Sequence, residues 1–147
     1  MNDERSLVEL SRAEGWRLLA SVPVGRLVFT NQALPAVRLV NHLVNRDKIV
    51  IGLTPGAAIA TSAGTEGTVV AYEADALDLS ERLGWSVVVV GLARLVAGDD
   101  EVERYRSQLR PWLSGATADI ITITSELVTG YRLVPVEPVT GISRAAV

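Results

Sequence analysis

Hydrophobic and polar positions divide this chain into short segments, most of which have the pattern typical of β-strands. Five such segments lie at residues 25–30, 35–44, 48–53, 68–75 and 85–96, and residues 120–123 and 128–134 predict one or two more. Within the fifth segment, the run from Val87 to Val90 is apolar without alternation, which predicts that this strand is the most buried of the set. Gly91 in the same segment predicts a bulge or a sharp bend.

Three helices are predicted around these strands. Ser11 and Glu14 form a capping-box pattern, which predicts a helix from residue 12 to about residue 21, before Pro23. Small residues at 57–62 predict a short second helix. The third helix is predicted to begin with Asp99 as its N-cap, and apolar residues three or four positions apart form its core face: Val102, Tyr105, Leu109 and Trp112.

The order of these elements predicts a mainly β fold, with six or seven antiparallel strands closed into a small barrel and helices at its periphery. A Rossmann pattern is excluded, because no strand is followed by a Gly-rich loop and a long crossover helix. We expect one domain over residues 1–147, with its core at about residues 11–134. The tail at residues 135–147 contains prolines and a glycine, and we expect it to be loose or packed against a partner.

Composition narrows the function classes. The chain of 147 residues is 48% hydrophobic, which favours an apolar subunit interface in addition to a core. Its formal net charge of −3 argues against nucleic acid as a partner. No apolar run approaches the ~18 residues of a membrane span, and the acidic N-terminus has no signal-type segment, so we expect a cytoplasmic protein. With no cysteine and one histidine, no metal site is expected.

Two side chains of the second predicted strand are candidates for chemistry. Arg38 lies in mid-strand, where a buried guanidinium requires an anion, and a phosphate or a salt bridge to Glu73 or Asp75 would serve equally well. His42 is the single histidine. It could contact a ligand or donate a proton, but a structural hydrogen bond to a backbone carbonyl is the favoured interpretation.

Two further positions carry weaker signals. The turn from Thr54 to Ala58 leads into a predicted helix, and an anion could lie against the free N–H groups at its start. Trp85, next to Gly84, could stack on a flat ring, although packing in a core or an interface is commoner for tryptophan.

Four segments at residues 35–42, 49–57, 69–75 and 84–91 together resemble the pyridoxamine 5'-phosphate oxidase-like superfamily, in particular its small, nitroimidazole-resistance-like actinobacterial branch. The resemblance covers residues 11–134. It implies an antiparallel split β-barrel of the FMN-binding type, usually a homodimer, with flavin mononucleotide in grooves between the subunits.

The resemblance also implies the positions of a cofactor site. Arg38 matches the strand arginine that contacts the flavin phosphate, and Trp85 lies on the strand that approaches the partner's cofactor. The strand that runs beside the flavin ring matches Leu39, Val40, Asn41 and His42. The adjoining strand, whose end touches the ring and the phosphate, matches Ile51, Gly52, Leu53 and Thr54.

One position departs from the family pattern. The family's phosphate-binding lysine or arginine falls at or next to Ala58, and no basic residue lies between Lys48 and Arg82. Losing one charge-assisted contact costs about 1.5–3 kcal/mol, or roughly tenfold to a hundredfold in affinity.

The resemblance therefore implies an FMN-binding oxidoreductase acting on a small molecule whose identity the sequence does not indicate. Two alternatives stay open. One is a non-catalytic protein that binds or sequesters a flavin, a deazaflavin or haem, and the other is a cofactor-free split-barrel dimer.

Overall fold

The computed structural model describes residues 3–110 and 117–137, which form seven strands and three helices. The strands are β1 (Arg5–Glu9), β2 (Val24–Asn31), β3 (Leu34–Asn45), β4 (Lys48–Leu53), β5 (Thr68–Asp78), β6 (Leu83–Leu95) and β7 (Asp119–Pro135). The helices are α1 (Arg12–Ala20), α2 (Ala58–Ala63) and α3 (Asp99–Gln108). The tail beyond residue 137 lies outside the described residues.

The strands form one antiparallel sheet in the order β1-β7-β4-β3-β2-β5-β6, and β6 also pairs with β7. This last pairing closes the sheet into a barrel with β1 attached at its edge, so the predicted fold class is confirmed. The two segments predicted at the end of the chain belong to the single strand β7, which pairs with β1, β4 and β6. β1 was not predicted, because its five residues show no alternation of buried and exposed positions.

The predicted irregularity in β6 is confirmed. The register between β6 and β7 shifts between Val90 and Gly91. A Cβ atom at Gly91 would overlap the carbonyl oxygen of Thr124 and lie 3.1 Å from Cγ2 of Ile123. Gly91 therefore lets the two strands approach closely at the bulge.

The core fills the barrel interior. Its largest fully buried side chains include Leu27, Ile49, Ile51, Tyr72, Ile121 and Ile123. The strand predicted to be the most buried, β6, is fully buried on one face along residues 87–90. Val87 and Val89 point into the barrel, whereas Val88 and Val90 lie on its outside and are half-buried.

The helices cover the openings and one side of the barrel. Ser11 caps α1 as predicted, and its Oγ accepts a hydrogen bond from the Glu14 N–H at 3.1 Å. α2 begins one residue later than predicted. The N-cap of α3 is Gly98 and not Asp99, which is the first helical residue. Tyr105 and Leu109 pack on the outside of β4 as predicted, and Trp112 lies outside the described residues.

No helix in residues 3–110 and 117–137 is long and apolar enough to cross a membrane.

Candidate functional site

The first half of β3 lacks a strand neighbour on one side. β3 pairs with β2 from Leu34 to Asn41, but β4 pairs with β3 only from Asn41 to Asn45. Residues 34–40, called the free edge of β3 below, therefore present backbone N–H and C=O groups that no described strand pairs on the side away from β2. Such groups are available for hydrogen bonds to water or to a ligand.

Arg38 lies on the free edge of β3. Its side chain is exposed, and its one hydrogen bond within the described residues goes to the carbonyl oxygen of Val37 at 2.9 Å. The expectation that this guanidinium is buried is wrong, because β4 stops pairing with β3 before reaching it. An exposed guanidinium without a protein carboxylate can bind an anion in a bidentate manner.

The salt bridge considered for Arg38 is formed by another residue. Arg26 binds the carboxylate of Glu73 at 2.7 Å and that of Asp75 at 3.3 Å. Arg26 lies directly opposite Glu73 on neighbouring strands, whereas Arg38 lies opposite Leu27, whose side chain points into the barrel. The alternation of β5, with Glu73 and Asp75 on the outer face, predicts this acidic pair, but not its cation.

Burial dominates the chemistry of Glu73. Loss of water raises the pKa of its carboxyl to about 7, and a hydrogen bond with Asp75 acts in the same direction. The nearby Arg26 guanidinium lowers the pKa and only partly offsets burial. This carboxyl therefore titrates near neutral pH, within the outer surface of the sheet.

His42 has the structural role that the sequence favoured. Its Nε2 lies 2.9 Å from the carbonyl oxygen of Leu19, and its Nδ1 lies 2.5 Å from the hydroxyl of Tyr72. A carbonyl oxygen can only accept, so Nε2 carries the proton and Nδ1 of the neutral ring accepts from Tyr72. Since both nitrogens are occupied and the residue is buried, His42 is not placed to contact a ligand or to transfer a proton to one.

Four of the eight residues predicted to lie beside the flavin ring point into the barrel: Val40, His42, Ile51 and Leu53. Val40, Ile51 and Leu53 belong to the barrel core, so only their backbone groups could reach a ligand outside it. Leu39 lies on the outer face and is half exposed, and Asn41 beside it is half-buried. The predicted strand thus contributes outward side chains at alternate positions only.

The end of β4 is partly covered. A Cβ at Gly52 would lie 3.1 Å from side-chain atoms of Leu109 and Thr117, so these two residues partly cover this position. Thr54 is exposed, and its carbonyl accepts a hydrogen bond from the Ala57 N–H at 3.3 Å. Ala58 is half-buried against the core and begins α2, whose six residues include no basic side chain.

Trp85 is a core residue of the barrel. It is 8% exposed and packs in the main hydrophobic cluster. The commoner of the two interpretations of this tryptophan, core packing, therefore describes it better than stacking on a cofactor. No cluster of three or more potential metal ligands exists in residues 3–110 and 117–137.

Comparison with known proteins identifies the family. The sequence profile described as pyridoxamine 5'-phosphate oxidase matches residues 11–143. The chain belongs to this family. The resemblance expected from the sequence is thereby confirmed.

An uncharacterized protein of Mycobacterium tuberculosis is 52% identical to this family member over 134 residues, which cover 88% of each chain. The solved structure of the FAD binding protein from Mycobacterium smegmatis is 26% identical, with a TM-score of 0.66 over 86% of this chain and 98% of that one. A candidate 5-nitroimidazole antibiotic resistance protein from Bacteroides thetaiotaomicron has a TM-score of 0.68 at 10% identity, over 88% of this chain and 89% of that one. At that identity the likeness concerns the fold alone.

Proposed function

We propose that this protein is a flavin-dependent oxidoreductase that acts on a small molecule and binds FMN between the two subunits of a homodimer. Membership of the pyridoxamine 5'-phosphate oxidase family supports a phosphate-bearing cofactor. The similarity to the FAD binding protein from Mycobacterium smegmatis supports a flavin in particular. When bound, a flavin supplies the hydride chemistry, and the protein supplies binding, orientation and electrostatics.

The observation that carries this proposal is the state of Arg38. Within the described residues its guanidinium has no carboxylate partner, and the neighbouring acids Glu73 and Asp75 are already paired with Arg26. An arginine that is left without an acid on an unpaired strand edge is suited to a phosphate. The exposed hydroxyl of Thr54 is a second polar group that fits this cofactor.

The free edge of β3 fits the flat part of a flavin. Backbone N–H and C=O groups at residues 34–40 can donate to and accept from the heteroatoms of the ring system. Leu39 adds an apolar side chain beside them. The position at Ala58 fits less well, because a methyl group there replaces the positive charge that the family pattern contains.

A second copy of this chain is proposed to pack against the barrel's outer surface. In register, Val28 lies opposite Ala71, Ala71 opposite Val90, and Val90 opposite Leu127, so one apolar row crosses four strands. Val69 and Leu127 are more than half exposed. We call Val28, Val69, Ala71, Val88, Val90 and Leu127 the outer apolar face. Covering it by an identical face would remove this surface from water and would complete a groove at the subunit boundary.

Arg38 can be tested with three ligands that differ in their phosphate. FMN and FAD carry a phosphate next to the ribityl chain, whereas riboflavin carries none. Replacing Arg38 with Ala should weaken FMN and FAD binding about tenfold to a hundredfold and leave riboflavin binding unchanged. Fluorescence titration measures all three affinities. The exposed Arg17, whose ion pair among residues 3–110 and 117–137 is with Glu14 on α1, provides the control variant Arg17→Ala.

The same titration tests Ala58. If this position faces the phosphate, Ala58→Lys should restore a charge-assisted contact and tighten FMN binding relative to riboflavin. Equal affinities for FMN and riboflavin in the wild-type protein, unaffected by either variant, would contradict the proposed phosphate site. Preferential binding of haem or a deazaflavin in parallel titrations would favour the alternative of a cofactor-sequestering protein.

A further inference from the structure

His42 connects three separate elements in the barrel interior. Its backbone N–H donates to the carbonyl oxygen of Pro23 at 2.9 Å, directly before β2. Its ring contacts Tyr72 of β5 through Nδ1, with the two rings edge to face and their centroids 5.1 Å apart. Its Nε2 reaches the carbonyl oxygen of Leu19 in the last turn of α1. Apart from the tyrosines Tyr72 and Tyr105, no other polar or charged residue among those described is buried to the same degree.

The bond to Leu19 completes the end of α1. The last four carbonyl groups of a helix have no partner within the helix and must find one elsewhere. At this end the carbonyl of Leu18 accepts from the backbone and the hydroxyl of Ser21, and the carbonyl of Leu19 accepts from His42. The histidine thus caps α1 from another element and attaches it to the barrel.

The surroundings of the ring accommodate its neutral form. Facing it are the Tyr72 hydroxyl from β5, the Leu19 carbonyl from α1 and the apolar Ile51, its register partner on β4. The charged residues of α1 are engaged elsewhere, since Glu14 and Arg17 pair with each other and Arg12 binds Ser125. Glu73 lies on the outer face of β5 with Arg26. Burial lowers the pKa of His42, and the hydrogen bond to Leu19 offsets this only in part.

Tyr72 is held in place by a glycine. A Cβ at Gly25 would overlap the Tyr72 hydroxyl and lie 2.7 Å from the carbonyl oxygen of Glu73. The absence of a side chain at Gly25 therefore makes room for the hydroxyl that donates to His42. These contacts place a hydroxyl against Nδ1 of His42, and a hydroxyl carries no charge that would stabilise a protonated imidazole.

We propose that His42 is a pH-sensitive latch, which holds α1 on the barrel while its ring is neutral and releases the helix when the ring is protonated. Protonation places a charge in a site without a carboxylate and turns Nδ1 from an acceptor into a donor facing the Tyr72 hydroxyl. Detachment of α1 exposes the ring to water and relieves this cost. The latch stands independently of the proposed flavin function, because it involves only groups of the apoprotein.

Native-state hydrogen exchange of the apoprotein tests the latch. The pKa of His42 is lowered while α1 is attached, and it returns to about 6.5, the value of an exposed histidine, when α1 opens. At pH values between these two pKa values, opening is coupled to the uptake of a proton. The opening constant of α1, measured at the amides of residues 15–20 and corrected for intrinsic exchange, should therefore rise severalfold, and at most about tenfold, between pH 7.5 and pH 5.5. The amides of β4 should change much less over the same range.

Two variants distinguish a His42 that releases α1 on protonation from a His42 that only forms a structural hydrogen bond. His42→Gln keeps an amide donor and an acceptor but cannot titrate, so α1 should open to the same extent at both pH values. Ser21→Ala removes the neighbouring hydrogen bond to Leu18 and should increase opening by the same factor at both pH values, so the pH dependence of the wild type is kept. Loss of the pH dependence in Ser21→Ala, or its persistence in His42→Gln, would overturn the proposal.

The protonation state of the His42 ring can also be measured in the wild-type protein. This test does not require any variant to fold. Nitrogen chemical shifts should place the proton on Nε2 and give a titration midpoint below 6.5. A proton on Nδ1, an ordinary midpoint, or equal loss of protection in α1 and β4 would each overturn the latch.

Discussion

At the residue scale, Tyr72 and Glu73 are neighbours that occupy opposite faces of one strand, and burial raises the pKa of each. Tyr72 points inward and Glu73 points outward on β5. Burial raises the pKa of the Tyr72 hydroxyl, so it remains a hydrogen-bond donor to His42. Burial likewise raises the pKa of Glu73, but to about 7, where the carboxyl titrates near neutral pH.

Glu73 gives the first prediction at this scale. Its folded-state pKa of about 7 lies above the ordinary 4.5, so the folded protein retains a proton that the unfolded chain has lost. The contribution of Glu73 to the free energy of unfolding should therefore fall as pH rises from about 4.5 to about 7 and then level off. The Glu73→Gln variant lacks this term and should gain about 1–2 kcal/mol over the wild type across the range, reduced by partial exposure and by Arg26.

Urea unfolding of both proteins at several pH values measures this difference. The contribution of His42, which has the opposite sign below pH 6.5, is common to both and cancels. The exposed Glu126 supplies the control variant Glu126→Gln. A difference between Glu73→Gln and wild type that does not change with pH would contradict the assignment.

At the scale of the elements, the bulge in β6 is the feature on which closure of the barrel depends most directly. Gly91→Ala should cost at least about 2 kcal/mol, because a Cβ would overlap the Thr124 carbonyl and force β6 and β7 apart. Gly98→Ala is the matched control: its Cβ would meet nothing nearer than Glu101 at 4.0 Å, and it should cost less than about 1 kcal/mol. Equal destabilisation of the two variants in urea would show that close strand approach at Gly91 is unimportant.

The elements also explain what the sequence could and could not predict. β4 was predicted with its observed bounds, because turn residues flank a compact apolar run at both ends. β1 was not predicted, since its strand conformation depends on pairing with β7, more than 120 residues away in the chain. The exposure of Arg38 depends on where the pairing of β4 with β3 ends, and the partner of His42 depends on the register of β5. Neither register is encoded locally, so the exposure of Arg38 and the contact of His42 with Tyr72 could not be predicted from the sequence.

At the scale of the whole molecule, the outer apolar face predicts a homodimer. Val90→Asp places a charge between Ala71 and Leu127 without any nearby ionisable partner in register. We expect this variant to stay folded and to become a monomer, with weakened flavin binding because the proposed groove needs both subunits. Light scattering coupled to size-exclusion chromatography measures the change.

Leu79→Asp is the control for this experiment, since Leu79 is 85% exposed between β5 and β6 and lies outside the face. It should leave the oligomeric state and the flavin affinity as they are. A wild-type protein that is monomeric at micromolar concentration, or a Val90→Asp protein that remains dimeric, would contradict the assembly.

The most direct test of the central claim is the absorption spectrum of the purified protein, recorded before and after incubation with excess FMN and removal of the free ligand. We predict that the protein retains the two visible and near-ultraviolet bands of an oxidised flavin, in proportion to the number of subunits. A protein that is colourless after both treatments would contradict the assignment of a flavin to this barrel.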